Sequence, residues 1–154
     1  MPEHTNEIST LNKLITTTID SINGYEDAAT NSEAGRFMQI FRDRASERQR
    51  IVEDLRTEVR RLGGEPETGG SFMGATHQRW LDLKAAITGR DEKSIINEVE
   101  RGEDYLKSTW QSALQSGKLH GPTHELVERC YQSIKAGHDQ MSQLKHGMET
   151  PSHA

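Results

Sequence analysis

The chain has little of what usually stabilises a small folded protein. Its 154 residues include one cysteine, four prolines and only 5% aromatic residues. The single Cys130 excludes an intramolecular disulfide framework and is typical of a reducing compartment, so we expect a cytoplasmic protein. Leu, Ile, Val and Phe make up about 18% of the chain, near the roughly 20% line below which disorder is common. Because 24 acidic residues nearly balance 19 basic ones, the net charge is only −5, and we expect a folded chain.

Long apolar runs are also lacking. No stretch of about 18 apolar residues occurs, so the sequence predicts no transmembrane helix. The opening residues, MPEHTNEIST, have neither the basic start nor the apolar segment of a signal peptide. The isoelectric point of about 5.8 argues against a general nucleic-acid binder. We therefore expect neither a membrane nor a nucleic acid as a partner.

The apolar residues that are present recur at the period of amphipathic helices. Ile8, Leu11, Ile15, Ile19 and Ile22 follow one another at steps of three or four residues, as on one face of a helix. Comparable stripes along the chain predict a single all-α domain over residues 1–154. The predicted helices cover residues 5–31, 33–62, 72–88, 91–117 and 121–147, and the tail 148–154 is predicted to be flexible.

The lengths of the connections predict the topology. Short turns join the first two long helices and the last two, so each pair should be antiparallel. Residues 63–90 separate the pairs, and this connection is long enough to return along the whole bundle. Two hairpins joined by one long crossover is the ferritin-like arrangement. We therefore predict a ferritin-like four-helix bundle with a short extra helix in the crossover between helices 2 and 3.

Several segments also resemble a known family. They are LNKLITTTIDSINGYEDAA, EVRRLGGEPE, HQRWLDLKAAITGRD, EVERGEDYL and IKAGHDQM. In this order they are similar to uncharacterised bacterial ferritin-like four-helix-bundle proteins, described as a domain of unknown function, over about residues 7–146. The resemblance implies a four-helix bundle and an association with stress conditions. It implies no particular reaction, and a fold alone does not supply one.

The standard di-iron motif of ferritin-like bundles is missing. That site needs a Glu-x-x-His pair on each of two helices, because this spacing aims a carboxylate and an imidazole at the same metal. None of the seven histidines has a glutamate three residues before it. We therefore expect no cofactor, and iron or another divalent metal only under the alternative given below.

Polar residues nevertheless interrupt the apolar stripes at mid-height. Arg48, Glu103 and His138 stand where the second, third and last helices should face the core. A charge buried alone is costly, so inward-pointing groups should pair with one another. One hypothesis is that these three residues form a structural polar network, or lie at the edges of the stripes and reach solvent. The other is a divergent metal site formed by Asp20 or Glu26 with Glu47, Glu103 and His138. A guanidinium at Arg48 counts against a metal site because it repels a cation.

The remaining signals favour a non-catalytic protein. Cys130 lies on an apolar stripe, where a thiol is usually inert. Residues 36–61 hold eight arginines and residues 91–107 hold six acidic residues, charges that could face each other across a symmetric dimer. We predict a structural or interaction protein, linked to stress by the resemblance, that forms a homo-oligomer, preferably a dimer. The alternative is a di-iron-type oxidase or iron-handling protein with a degenerate carboxylate–histidine site.

Overall fold

A computed structural model describes residues 4–30, 37–70 and 92–149. These residues contain four helices and no strand. The helices are α1 (Thr5–Thr30), α2 (Met38–Arg61), α3 (Glu92–Gln115) and α4 (Gly121–Glu149). The prediction of an all-α protein with four long helices is therefore confirmed. The extra helix predicted at 72–88 and the predicted start of the second helix at 33 lie outside the described residues.

α2 and α3 end just before a glycine that adopts a left-handed backbone. α2 closes in a Schellman motif: Gly63 has φ 87°, and the Gly64 N–H donates to the Val59 carbonyl at 2.9 Å. After α3, Gly117 has φ 76°. α4 continues to Glu149, two residues further than predicted.

Side-chain contacts show that α1 and α2, and likewise α3 and α4, form antiparallel pairs. Asn12, in the first half of α1, bonds the backbone of Glu65, just beyond the end of α2, at 3.0 Å. Gln111, near the end of α3, donates to the Tyr131 hydroxyl of α4 at 2.8 Å. The expectation of two helical hairpins therefore agrees with the contacts among the described helices.

The two hairpins pack with α1 beside α3 and α2 beside α4. Trp110 of α3 donates to Thr18 of α1 at 3.3 Å, and Thr123 of α4 donates to Glu58 of α2 at 2.5 Å. The second contact joins the start of α4 to the end of α2, so these two helices are antiparallel. Because α1 opposes α2 and α3 opposes α4, α1 and α3 are antiparallel as well. It follows that α2 and α3 run in the same direction, on opposite corners of the bundle.

The core is a single cluster of buried side chains from all four helices. Its largest fully buried members include Trp110, Phe41, Leu11, Leu55 and Ile134. The exposed faces are rich in charge, as expected for amphipathic helices. Among the described residues, no helix combines the length and apolar character needed to cross a membrane.

The start of the long connection is fastened along the outside of α1. The Asn12 side chain bonds the Glu65 carbonyl and the Glu67 N–H. Gly64 lies against Ile8, and Gly70 lies so close to Asp20 that a Cβ there would collide with the carboxylate. Residues 64–70 therefore travel over the stretch of α1 from Ile8 to Asp20, about 18 Å at 1.5 Å per residue.

Candidate functional site: a buried ion pair at the bundle centre

A single ion pair joins α2 and α3 through the middle of the bundle. The Arg48 side chain is fully buried and the Glu103 side chain is 2% exposed. Arg48 Nη1 donates to Glu103 Oε1 at 2.8 Å, and Nη2 donates to Oε2 at 2.7 Å. This two-pronged geometry is the strongest that a guanidinium and a carboxylate can form. Because α2 and α3 are diagonal, the pair spans the core rather than one seam between neighbours.

Two residues of α1 complete the surroundings of the guanidinium. The Ser21 hydroxyl accepts a third hydrogen bond from Arg48 Nη1 at 2.6 Å. The Arg48 guanidinium carbon lies 5.6 Å from the centre of the Tyr25 ring, a cation–π distance. The Tyr25 hydroxyl and Arg48 Nε are buried and have no hydrogen-bond partner among the described residues. The charged groups of the site are therefore well paired, whereas two of the polar atoms around them lack a hydrogen bond among the described residues.

Gly137 of α4 provides the space that the ion pair occupies. A Cβ built at Gly137 would overlap Arg48 Nη2 and would lie 3.0 Å from Glu103 Oε2. The α4 backbone therefore closes one side of the pair, and only a residue without a side chain permits this approach. At Gly102, one position before Glu103 on α3, no atom of the described residues lies within 4 Å of a built Cβ.

The ion pair holds its charges firmly. Burial opposes the charge on Arg48, but the facing Glu103 carboxylate outweighs it and raises the pKa of Arg48. Burial, together with the charge of Glu103, raises the pKa of Tyr25 well above its usual value. The surroundings therefore favour the charged form of Arg48 and the neutral form of Tyr25.

His138 does not join this pair but lies at the seam between α3 and α4. Its Nε2 is 2.5 Å from Asp104 Oδ1 and 3.8 Å from Glu100 Oε2. Its Nδ1 is 3.1 Å from Asp139 Oδ1, and this hydrogen bond lowers the pKa of Asp139. Glu100, Asp104 and His138 offer ligand atoms within 4.8 Å of one another, the only such group found among the described residues.

The other sequence-predicted metal ligands have different neighbours. Asp20 is half-buried beneath Gly70. Glu26 is exposed and accepts a hydrogen bond from Gln49 at 3.1 Å. Glu47 pairs with Arg44 at 2.8 Å. The structure therefore brings Arg48 and Glu103 together, but it does not gather Asp20, Glu26, Glu47, Glu103 and His138 around one point.

Sequence reasoning missed four participants. Ser21 and Tyr25 carry no signal of their own, since both fit an ordinary amphipathic helix. Glu100 and Asp104 do carry one: they are four residues apart on α3 and so share a face. That spacing could have been combined with His138, but nothing in the sequence shows which residue of α4 stands opposite.

Two further polar groups lie away from these clusters: the Cys130 thiol, and Glu58 at the end of the bundle. Cys130 is 7% exposed, and burial raises the pKa of its thiol to about 11, so it is protonated and a poor nucleophile at neutral pH. At the end of the bundle Glu58 accepts hydrogen bonds from Arg61 and Thr123. The Arg61 guanidinium lowers the pKa of Glu58.

Fold and site together define a class of protein: an all-α bundle with a buried arginine–glutamate pair at its centre. Comparison with family models places residues 6–116, more than two thirds of the chain, in a family described as a domain of unknown function (DUF2383). The chain belongs to this family. The matched segment contains α1, α2, α3 and the pair Arg48–Glu103, and it stops before α4. No curated protein matches the sequence.

Proposed function

We propose that the chain is a non-catalytic, ferritin-like bundle that acts as a structural or interaction protein, self-associates as a dimer and serves under stress conditions. The ferritin-like topology is supported by the directions of the helices: every neighbouring pair is antiparallel, and α2 and α3 run the same way. Two hairpins joined by one long crossover give this arrangement. The link to stress rests on the family resemblance alone.

The observation that carries the proposal is the position of Arg48. Di-iron proteins of this fold place their metal ions in the bundle core, between carboxylates and histidines of facing helices. Here a guanidinium occupies the core, and it engages both oxygens of the Glu103 carboxylate. These residues do not fit a di-iron centre, because the fixed positive charge repels divalent ions and lies directly against both oxygens of Glu103. The centre of the bundle therefore suits a structural role better than iron chemistry.

Iron loading tests this proposal. The purified, untagged protein is incubated anaerobically with Fe(II), desalted and analysed for bound iron. We expect no pair of iron ions that depends on Glu103. Two irons per chain that disappear in Glu103→Gln would overturn the proposal.

Arg48→Leu separates the two hypotheses for the core. If Arg48 is a structural cation, this variant loses stability without gaining iron, because Glu103 is stranded in the core. Under the iron-handling alternative, the same variant stays folded and takes up more iron, since the repelling charge is gone. The variant is scored by its urea midpoint and its iron content, measured on the same preparation.

Metal handling outside the core remains the second candidate function. The observation that favours it is the approach of His138 to two carboxylates of α3. This arrangement shares only His138 with the predicted degenerate site, since it uses Glu100 and Asp104 instead of Asp20 or Glu26, Glu47 and Glu103.

A further inference from the structure

We propose that Glu100, Asp104 and His138 bind one divalent transition-metal ion of the zinc type at the seam between α3 and α4. The inference deepens the metal-handling candidate and rests on it, but it is independent of the structural role of Arg48 and Glu103. The metal ion would lie at the surface of the seam between α3 and α4 and not in the apolar core, since His138 and Asp104 both reach solvent.

The two carboxylates face one imidazole nitrogen. Glu100 and Asp104, four residues apart on α3, stand one turn above each other. Glu100 Oε2 and Asp104 Oδ1 lie 3.8 Å and 2.5 Å from His138 Nε2. In a tetrahedral zinc site with bonds of about 2.0–2.1 Å, ligand atoms are about 3.3 Å apart. To bring the ligand atoms to this spacing, the side chain of Asp104, which is 56% exposed, would have to turn away from the imidazole, and that of Glu100 would have to move closer to it.

One tautomer of the His138 imidazole suits metal binding. When its Nδ1 carries the proton, it donates to Asp139 Oδ1 at 3.1 Å and leaves Nε2 as an acceptor aimed at Glu100 and Asp104. Two acceptor oxygens then face an acceptor nitrogen, an arrangement that only a proton or a metal cation can stabilise. A carboxylate on the distal nitrogen of a ligating histidine is also the usual support of such sites.

The chemistry of the donors selects the class of ion. One imidazole nitrogen and two carboxylate oxygens suit zinc and its first-row neighbours, whereas calcium and magnesium prefer all-oxygen sites. The Lys145 ammonium lies 3.4 Å from Glu100 Oε1, and its charge opposes a cation at this site. It engages only one oxygen of Glu100, however, and leaves Oε2 toward His138. Three protein ligands would leave at least one position of the ion for water or another small ligand.

Calorimetric titration of the metal-stripped, full-length protein with Zn²⁺ tests the site. We expect one zinc ion per chain, with affinity falling at least about tenfold in His138→Ala and in Asp104→Asn. Asp104→Asn guards against a folding artefact, because its side chain is largely exposed. Zinc should also raise the melting temperature of the wild type but not of these variants.

His124→Ala is the matched control. His124 also lies on α4 with a carboxylate one turn away, Glu128 at 3.7 Å, but it has no third ligand among the described residues. It should leave zinc affinity unchanged. Absence of zinc binding, or binding that survives both site variants, would overturn the proposal, as would an equal loss in His124→Ala. None of these results would affect the structural role of Arg48, which the stability of Arg48→Leu measures separately.

Discussion

At the scale of single residues, the bundle centre depends on two charged side chains, Arg48 and Glu103, that are both buried away from water. Desolvation of Arg48 and Glu103 opposes folding, and their two hydrogen bonds with each other, helped by Ser21, offset it. Such a pair adds little net stability relative to apolar side chains of the same size. Removing one partner is different, since the other remains as an uncompensated buried charge.

We therefore expect Arg48→Leu to lower the free energy of unfolding by about 3–5 kcal/mol. The double variant Arg48→Leu/Glu103→Leu should recover most of this loss, because no charge is then stranded. Urea unfolding followed by circular dichroism measures both. Arg101→Leu is the control: Arg101 pairs with Glu98 at 3.0 Å, but its side chain is 50% exposed, and the loss should stay within about 1 kcal/mol. Equal losses in Arg48→Leu and Arg101→Leu would contradict the conclusion that removing Arg48 strands a buried charge.

The glycine of α4 gives a second prediction at this scale. Gly137→Ala places a methyl group against Arg48 Nη2 and Glu103 Oε2, so we expect a loss of about 1–3 kcal/mol from overpacking. Gly102→Ala, in open space within α3, should instead stabilise the protein by about 0.5–1 kcal/mol, since alanine favours a helix more than glycine does. Thermal unfolding of both variants provides the comparison. A Gly137→Ala protein as stable as Gly102→Ala would show that the α4 backbone does not close on the pair.

At the scale of helices, Glu58 links the end of α2 to the start of α4. It is 8% exposed, accepts the Thr123 hydroxyl and pairs with Arg61 at 2.6 Å. The Arg61 hydrogen bonds lower the pKa of Glu58 from its usual 4.5. Because the folded pKa is the lower one, this stabilisation is present above pH 4.5 and is lost as the pH falls through the folded pKa.

Glu58→Gln should therefore reduce stability at neutral pH and flatten its fall in acid. The measurement is the urea midpoint at pH values from about 7 down to 3, a range that covers glutamate titration. Glu53→Gln, on the exposed face of the same helix, is the control and should leave the profile close to wild type. A Glu58→Gln profile parallel to that of the wild type would mean that the link between α2 and α4 does not depend on the carboxylate charge.

The helices and the buried pair could be predicted from the sequence because both follow from the helical period of the apolar residues. Apolar residues at steps of three and four define a core face, and Arg48 and Glu103 fall on that face. His138 was expected in the same network, but it follows Gly137 and is turned about 100° from it around α4. Gly137 thus faces the centre, and His138 faces α3. Contacts such as His138–Asp104 depend on how far one helix is shifted along another, which a single helix does not encode.

At the scale of the whole molecule, the structure changes the meaning of the charge pattern. α2 carries seven arginines against five acidic residues, and α3 carries five acidic residues against three basic ones. One member of each excess, Arg48 and Glu103, is buried with the other. The outward charges of the two helices therefore nearly balance. Part of the charge complementarity that we expected between two copies is therefore found within one chain, in the pair Arg48–Glu103.

The arrangement of the helices also limits a charge-paired dimer. A two-fold symmetric contact must contain both complementary patches on one face. α2 and α3 lie on opposite corners and share no face, so a symmetric dimer cannot join the α2 of each copy to the α3 of the other. Charge pairing between them would build an open chain of copies instead. We therefore expect the proposed dimer to use contacts other than charge pairs between α2 and α3.

Sedimentation equilibrium at two salt concentrations tests this conclusion. We expect a mass near twice the 17.4 kDa of one chain, unchanged between about 0.05 M and 0.5 M salt, because screening at high salt weakens only contacts between exposed charges. A mass of one chain at both concentrations would refute self-association. Association that disappears at high salt, or that grows without limit as the protein concentration rises, would instead mean that the residual charges of α2 and α3 join neighbouring copies head to tail.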